Sequence, residues 1–300
     1  MVRRIFRRKN WTLLLLLAWG GWTAAATPSA PPRRVISLAP ALTEICFALD
    51  FGERVVGVTD FCRYPPAAMQ KPAVGGLLNP NLEHIVTLQP DLVLLVPEER
   101  PVGEQLQRLG IPGLEVPLYR IADTRAAMVA VAAALGDRAR GERLAGEFQA
   151  QLDRIARQAP ADAPPAVLMV VGRDAAELGG IYAAGRRTFL SELLTLAGGR
   201  NACATDIRYP DVSLEGIATM NPEVIIEFWS GVGLTTDQRR QLKADWQRLR
   251  QVTAVRTGRI YILDDAALTI PGPRIPAAVE RIQQCLLDTV DPAGPPFRED

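Results

Sequence analysis

Two stretches of this chain are copies of one unit, and that duplication limits the possible folds more than any other feature. Residues 81–96 read NLEHIVTLQPDLVLLV and residues 213–228 read SLEGIATMNPEVIIEF. Leu82, Glu83, Ile85, Thr87 and Pro90 recur as Leu214, Glu215, Ile217, Thr219 and Pro222. Each copy predicts a short helix, a break at the proline and then a buried strand. Apolar residues at helical spacing give way to a continuous apolar run beyond a residue that cannot continue a helix. A weaker echo pairs Leu42-Thr43-Glu44-Ile45 with Leu190-Ser191-Glu192-Leu193. Two copies are too few for a solenoid, which needs about three stacked units. They imply two similar lobes, and the cleft between two lobes is where a small ligand binds.

Other segments fill in the same alternation. Arg34–Pro40, Arg54–Val58, Leu92–Val96 and Leu114–Leu118 read as strands of a first half, with helices over Thr43–Leu49, Leu82–Leu88 and Val102–Leu109. Val167–Val171, Val224–Phe228 and Arg259–Leu263 are strands of a second half, with helices over Thr188–Leu196, Leu214–Met220 and Ile275–Val290. Strands alternating with helices predict an α/β fold of two Rossmann-like lobes with mostly parallel sheets. Between the halves, Leu144, Phe148, Leu152 and Ile155 lie on one face of a long amphipathic helix over residues 137–159. The expected organisation is a leader at 1–26, an N-terminal lobe at 33–136, that helix, a C-terminal lobe at 164–290 and a loose tail at 291–300.

The beginning of the chain bears on its compartment. Arg3, Arg4, Arg7, Arg8 and Lys9 precede an apolar stretch from Trp11 to Trp22, and Ala24–Ala26 offers small residues for cleavage. This is the layout of a secretory signal peptide, and a dozen apolar residues fall short of the roughly 20 that span a bilayer. An exported, periplasmic protein is expected. Without those five basic residues the chain holds 29 Lys and Arg against 33 Asp and Glu, formally −4. With no cationic excess to neutralise a phosphate backbone, nucleic acid is not an expected partner. The four cysteines, Cys46, Cys62, Cys203 and Cys285, are too few for a disulfide scaffold and no two lie at metal-ligand spacing. An oxidising compartment admits one bridge, for which Cys203 with Cys285 is the favoured pair. Cys46, inside an apolar helical pattern, reads as a small buried hydrophobe.

RVISLAPALTEICFAL, VVGVTDFCRYPPAA, VGGLLNPNLEHIVTLQPDLVLL and the late PGPR resemble the helical-backbone, or class III, periplasmic binding proteins of ABC importers, and specifically their cobalamin-binding branch. The resemblance covers nearly all of residues 34–290. It implies two lobes bridged by one rigid helix, a shallow cleft with little closure, and delivery of ligand to a dimeric inner-membrane permease by a monomer. It also implies that Glu83 and Glu215, one per lobe, dock onto permease arginines. Read alone, each glutamate supports its own helix N-terminus through the macrodipole.

By the same resemblance, Pro40, Phe61, Arg63, Tyr64 and Leu77 form the N-lobe side of the ligand site, and Tyr182, Tyr209, Asp265 and Thr269 the C-lobe side. Trp229 follows a strand, where ligand loops of α/β sheets emerge. Phe61, Tyr64, Tyr182, Tyr209 and Trp229 offer aromatic faces for a flat chelate, and Arg63 and Arg186 could meet a phosphate or carboxylate. A haem or ferric-siderophore receptor of the same architecture is the alternative, with Tyr64 or Tyr182 as an oxygen ligand. Its only histidine, His84, sits beside Glu83. No GxSxG elbow, HExxH or Walker-type GKS occurs, so no catalytic residue, resident metal or cofactor is expected.

Overall fold

Short runs of Val, Ile and Leu bounded by Pro, Gly or Asp make strands here because branched side chains pack on a pleated surface covered on both faces. The computed structural model describes residues 30–76, 79–159, 163–174, 178–229 and 233–288. The expected leader, the tail beyond Asp288, and Leu77 with Leu78 lie outside the described residues. The first half comprises β1 (Val35–Ser37), α1 (Pro40–Ala48), β2 (Val55–Val58), α2 (Leu82–Thr87), β3 (Leu92–Leu95), α3 (Arg100–Arg108), β4 (Gly113–Glu115) and α4 (Ile121–Ala134). The long helix α5 (Arg138–Gln158) follows, its first turn capped by the Asp137 carboxylate, which accepts from the Arg140 amide at 3.0 Å. Then come β5 (Ala166–Gly172), β6 (Tyr182–Ala183), α6 (Phe189–Leu196), β7 (Arg200–Asn201), α7 (Leu214–Met220), β8 (Val224–Phe228), α8 (Thr236–Asp245), α9 (Thr253–Arg256), β9 (Ile260–Leu263) and α10 (Ile275–Leu286).

The strands form two sheets with matching order, β2-β1-β3-β4 and β6-β5-β8-β9. All pairs in the first sheet are parallel, whereas β6 runs antiparallel to β5 in the second, which β7 extends by a parallel pairing with β5. The repeated unit is α2–β3 in one lobe and α7–β8 in the other, and its sequence identities have structural reasons. Asn81 Oδ1 accepts from the His84 amide at 3.0 Å, and Ser213 Oγ accepts from the Gly216 amide at 3.1 Å. Thr87 and Thr219 each donate to the carbonyl four residues back, that of Glu83 or Glu215, at 2.9 Å. Both copies then turn through a left-handed residue before the proline, Gln89 at φ 46° and Asn221 at φ 43°. Proline ends the helix and sends the chain back as a strand antiparallel to it.

Period-two alternation puts each strand's neighbours on opposite faces of the sheet. Val35, Leu92 and Leu94 face the inner side of the first sheet, while Ile36, Val93 and Leu95 face a separate outer cluster. Val167, Met169, Val224 and Ile226 face the inner side of the second sheet, and Leu168, Val170 and Ile225 its outer cluster. The inner faces share one hydrophobic cluster that runs through α1, α4, α5, α6 and α10, with Met128, Phe148, Leu152, Leu193 and Ile282 among its members. The lobes are therefore joined by a common core as well as by the strut helix. α4 lies along α5, in a stretch where periodicity predicts no helix. Its Ala-rich sequence, IADTRAAMVAVAAA, has high helix propensity but no contrast between faces, so periodicity gave no signal.

The expected Cys203–Cys285 bridge is not formed. Cys203 belongs to the outer cluster of the second sheet and Cys285, on α10, to the inner one, so the sheet itself stands between them. All four cysteines are free and buried. Cys62 accepts hydrogen bonds from Thr43 at 3.1 Å and meets Thr59 at 3.2 Å.

Candidate functional site: an interlobe cleft

In a parallel sheet the loops beyond the strands' carboxyl ends collect at one edge, and a crevice opens where successive connections diverge. In the first sheet that point lies between β1, whose chain continues to β2, and β3, whose chain continues to β4. The two loops there, Ala39–Ala41 and Val96 with Glu98, form one wall of a cleft of about 400 Å³, together with Leu118 and Tyr119 beyond β4. The opposite wall is C-lobe: Arg187, Thr188 and Phe189 at the start of α6, Arg208 and Tyr209, and Thr269 to Pro271 beyond β9. Pro40 sits at the first position of α1, where a missing amide costs no hydrogen bond. The α6 start is capped by Thr188, which accepts from the Ser191 amide at 3.2 Å.

Beside the cleft, charge joins the two lobes. Arg274, just before α10, donates to Glu44 on α1 through Nη2 at 2.6 Å and Nε at 3.1 Å. Its guanidinium carbon lies 4.1 Å from the centre of the Tyr64 ring. Thr124 on α4 donates to the Pro271 carbonyl at 3.0 Å. Farther along the junction, Glu192 on α6 accepts from Arg120 Nε at 2.5 Å and from the Ile121 amide at 2.9 Å. The rim is looser. Arg208 lies over the Tyr119 ring at 4.9 Å, and burial, with Glu98 as hydrogen-bond partner, pushes the Tyr119 phenol upward. Burial likewise raises the Tyr209 phenol, with Arg208 opposing. Both tyrosines are thus neutral donors at ordinary pH.

Of the residues expected at the site, Pro40, Tyr209 and Thr269 line this cleft. Phe61 and Arg63 are exposed on the loop after β2, and Tyr64 lies against the Arg274 guanidinium outside the cleft lining. Asp265 does not reach the cleft; its carboxylate caps the turn that carries Thr269, accepting from the Ala267 amide at 2.8 Å. Tyr182, on edge strand β6, is 48% exposed and bridges to Asp211. Arg186 pairs with Asp206 and lines a neighbouring groove, while the next residue, Arg187, faces the cleft. Trp229 packs against the outer cluster. Strand parity explains this: Glu227 and Trp229 share the outer face of β8, and Phe228 takes the inner one. The expectation for Trp229 followed loop position and ignored register.

Tyr119, Arg187, Arg208, Phe189 and Glu98 were missed. None stands in a conspicuous motif, and only the convergence of three loops and one helix start brings them together. Glu83 and Glu215 are exposed, each the second residue of its helix. Because α2 and α7 run opposite to the strands that follow, both carboxylates stand at the same sheet edges as the cleft loops. Outside the cleft, Arg173 is buried between Glu227 at 2.9 Å and Asp245 at 3.0 Å, and Trp246 Nε1 donates to Glu227 at 3.0 Å. Burial raises the Glu227 carboxyl while Arg173 holds it down, so this network braces the outer C-lobe.

Comparisons with known proteins agree with the two-lobed architecture. The vitamin B12-binding protein of Pectobacterium atrosepticum is 29% identical over 286 residues, covering 92% of this chain and 94% of that protein. Among solved structures, the periplasmic haem-binding protein BhuT, with two haems bound, superposes with a TM-score of 0.75 at 31% identity, covering 85% of this chain and 98% of that one. The periplasmic vitamin B12-binding protein BtuF of Vibrio cholerae gives 0.72 at 26% identity, covering 86% and 98%. With two like-ordered sheets, a strut helix, an interlobe cleft, and a match of residues 35–267 to the family model, this chain belongs to the periplasmic binding protein family.

Proposed function

We propose that this protein captures cobalamin or a related corrinoid outside the cytoplasm and delivers it to the dimeric permease of an ABC importer. The cleft carries the reading. It faces apolar and aromatic walls at each other from two lobes and confines its charged groups to Glu98, Arg187 and Arg208, the composition of a small-molecule site in which a few polar groups set orientation. A corrinoid is larger than the drug-sized ligands that clefts of this volume enclose. Its plate is gripped at the floor and rim and stays partly in water. Arg187 and Arg208 suit a phosphate or carboxylate on the ligand edge, and the neutral Tyr119 and Tyr209 hydroxyls suit peripheral amides. Likeness to proteins named for vitamin B12 supports the corrinoid as ligand.

Among the described residues lining the cleft there is no histidine, cysteine or serine, and Glu98 is engaged by Tyr119. We read the site as one for binding, as the family match supports. The metal arrives inside the chelate: among the described residues no group of three or more His, Cys, Asp or Glu is placed to hold a bare ion. Delivery rests on Glu83 and Glu215, related by the internal repeat, which offer matched carboxylates to a two-fold symmetric, basic partner. Export by a cleaved leader completes the reading, and N-terminal sequencing of the secreted protein tests it: an intact Met1 rules cleavage out.

Haem is the second reading. The likeness to BhuT favours it. Calorimetric and visible-absorption titrations with cyanocobalamin, haemin and a ferric siderophore separate the two. The corrinoid reading expects saturable heat with cyanocobalamin; heat with haemin alone, accompanied by a shifted Soret band, replaces it with the haem reading.

A further inference from the structure

A second hollow adjoins the cleft. The groove that Arg186 lines, of about 390 Å³, is bounded by Arg120 before α4, Gln149 on α5, and Glu192 and Thr195 on α6. Its boundary with the cleft falls between consecutive residues in both lobes. Tyr119 lines the cleft and Arg120 the groove; Arg187 lines the cleft and Arg186 the groove. A ligand too large for the cleft therefore has room to continue past these residues, along the flank of the strut helix.

The groove offers different chemistry from the cleft. Among the described residues no aromatic ring lines it, so it does not suit a second flat plate. Its donors are two guanidiniums, one from each lobe. Arg120 gives Nε to Glu192 at 2.5 Å, and Arg186 gives Nε to Asp206. The Nη groups of both have no hydrogen-bond partner among the described residues. The carboxylates nearby are already engaged: Glu192 also accepts from the Ile121 amide at 2.9 Å, and Asp206 from Arg187 at 3.1 Å. Around cleft and groove, Arg120, Arg186, Arg187 and Arg208 face three carboxylates, those of Glu98, Glu192 and Asp206. One positive charge is left over, although residues 27–300 are formally −4. Guanidinium forks with free Nη groups match the two unesterified oxygens of a phosphodiester, which carries one negative charge.

We propose that this groove is a second binding site, for the nucleotide side chain of a corrinoid. The phosphodiester sits between Arg120 and Arg186 while the plate stays in the cleft. The inference rests on the corrinoid reading and adds the part of the ligand that the cleft does not hold.

Dicyanocobinamide, which has the corrin plate but no nucleotide side chain, separates the two sites. In calorimetric titrations of the full chain, wild type should bind cyanocobalamin at least about tenfold more tightly than dicyanocobinamide, the effect of one charge-assisted hydrogen bond. Thr195→Trp, at an exposed position of α6, fills the groove, and Arg120→Gln/Arg186→Gln removes both forks. Each should raise the Kd for cyanocobalamin about tenfold and leave that for dicyanocobinamide in place. General damage to the fold would weaken both ligands together. Equal binding of the two corrinoids by wild type overturns the proposal and needs no variant to fold. So does a folded variant that weakens both ligands alike or neither. If wild type binds neither corrinoid, the corrinoid reading itself falls and takes this site with it; equal binding of both removes the site and leaves that reading standing.

Discussion

Replacing Glu99 by glutamine should change how the stability of this protein depends on pH. Glu99 is 2% exposed behind the cleft wall formed by Val96 and Glu98. Its Oε2 accepts from the Val96 amide at 2.9 Å, and its Oε1 has no hydrogen-bond partner among the described residues. Burial pushes the carboxyl up to about 7 from an ordinary 4.5, the Val96 amide opposes, and the Glu98 charge adds a little. The folded state therefore holds a proton that the unfolded chain has released, so stability falls as pH rises from about 4.5 to about 7 and is flat above. Each pH step across that window costs ~1.4 kcal/mol, giving an upper bound of about 3 kcal/mol. Glutamine keeps the acceptor for Val96 and cannot ionise; its second amide proton has a cost, but one that does not vary with pH. Urea denaturation followed by tryptophan fluorescence at pH 5 and pH 8 measures both proteins. The variant should gain about 2–3 kcal/mol on wild type between the two pH values. A difference in stability that is the same at both would refute the reasoning.

Four further outcomes are expected. Glu83→Arg with Glu215→Arg should abolish uptake in cells and leave ligand affinity intact, because the proposed docking carboxylates do not line the cleft; normal transport would remove the docking role. Tyr209→Ala should weaken cyanocobalamin binding by about 1 kcal/mol or more if its ring packs on the ligand, and an unchanged titration excludes it. Arg173→Met should destabilise the chain by about 3–5 kcal/mol in urea melts, because Glu227 and Asp245 would be left without their buried cation; a loss below about 1 kcal/mol would show that water or protonation relieves them. Thiol titration without reductant should find four reactive groups once the protein is unfolded and almost none before, since burial pushes Cys46 and Cys285 up to about 12. Fewer than four would mean that a disulfide does form.

Much of the architecture was legible because it is written in local chemistry. The repeat at residues 81–96 and 213–228 encodes a cap, a back-bonded threonine, a helix-ending proline and an aliphatic strand, each specified within about four residues of its neighbours. The strands Leu92–Leu95 and Val224–Phe228 and the helix Leu214–Met220 follow from that pattern directly. Strand β6 and helix α8 escaped it. Tyr182–Ala183 is too short to show a period, and α8, TDQRRQLKAD, buries only Leu242, so its polar sequence has no apolar stripe to read.

The site was legible in part, for a different reason. Pro40, Tyr209 and Thr269 were found through a family likeness, while Tyr119, Arg187 and Arg208 reach the cleft only because separate loops converge there. Sequence alone determined that there are two related units, the helix–proline–strand order inside the repeat and the helix that spans them, because caps, breakers and periodicity act over a few residues. Tertiary structure decided which face of each strand looks inward, and with it that Trp229 belongs to the outer core and that Cys203 and Cys285 are separated by a sheet. It also decided that Glu44 meets Arg274 from 230 positions away. Such pairings are fixed by how sheets and helices pack in three dimensions, a quantity no local stretch of chain contains.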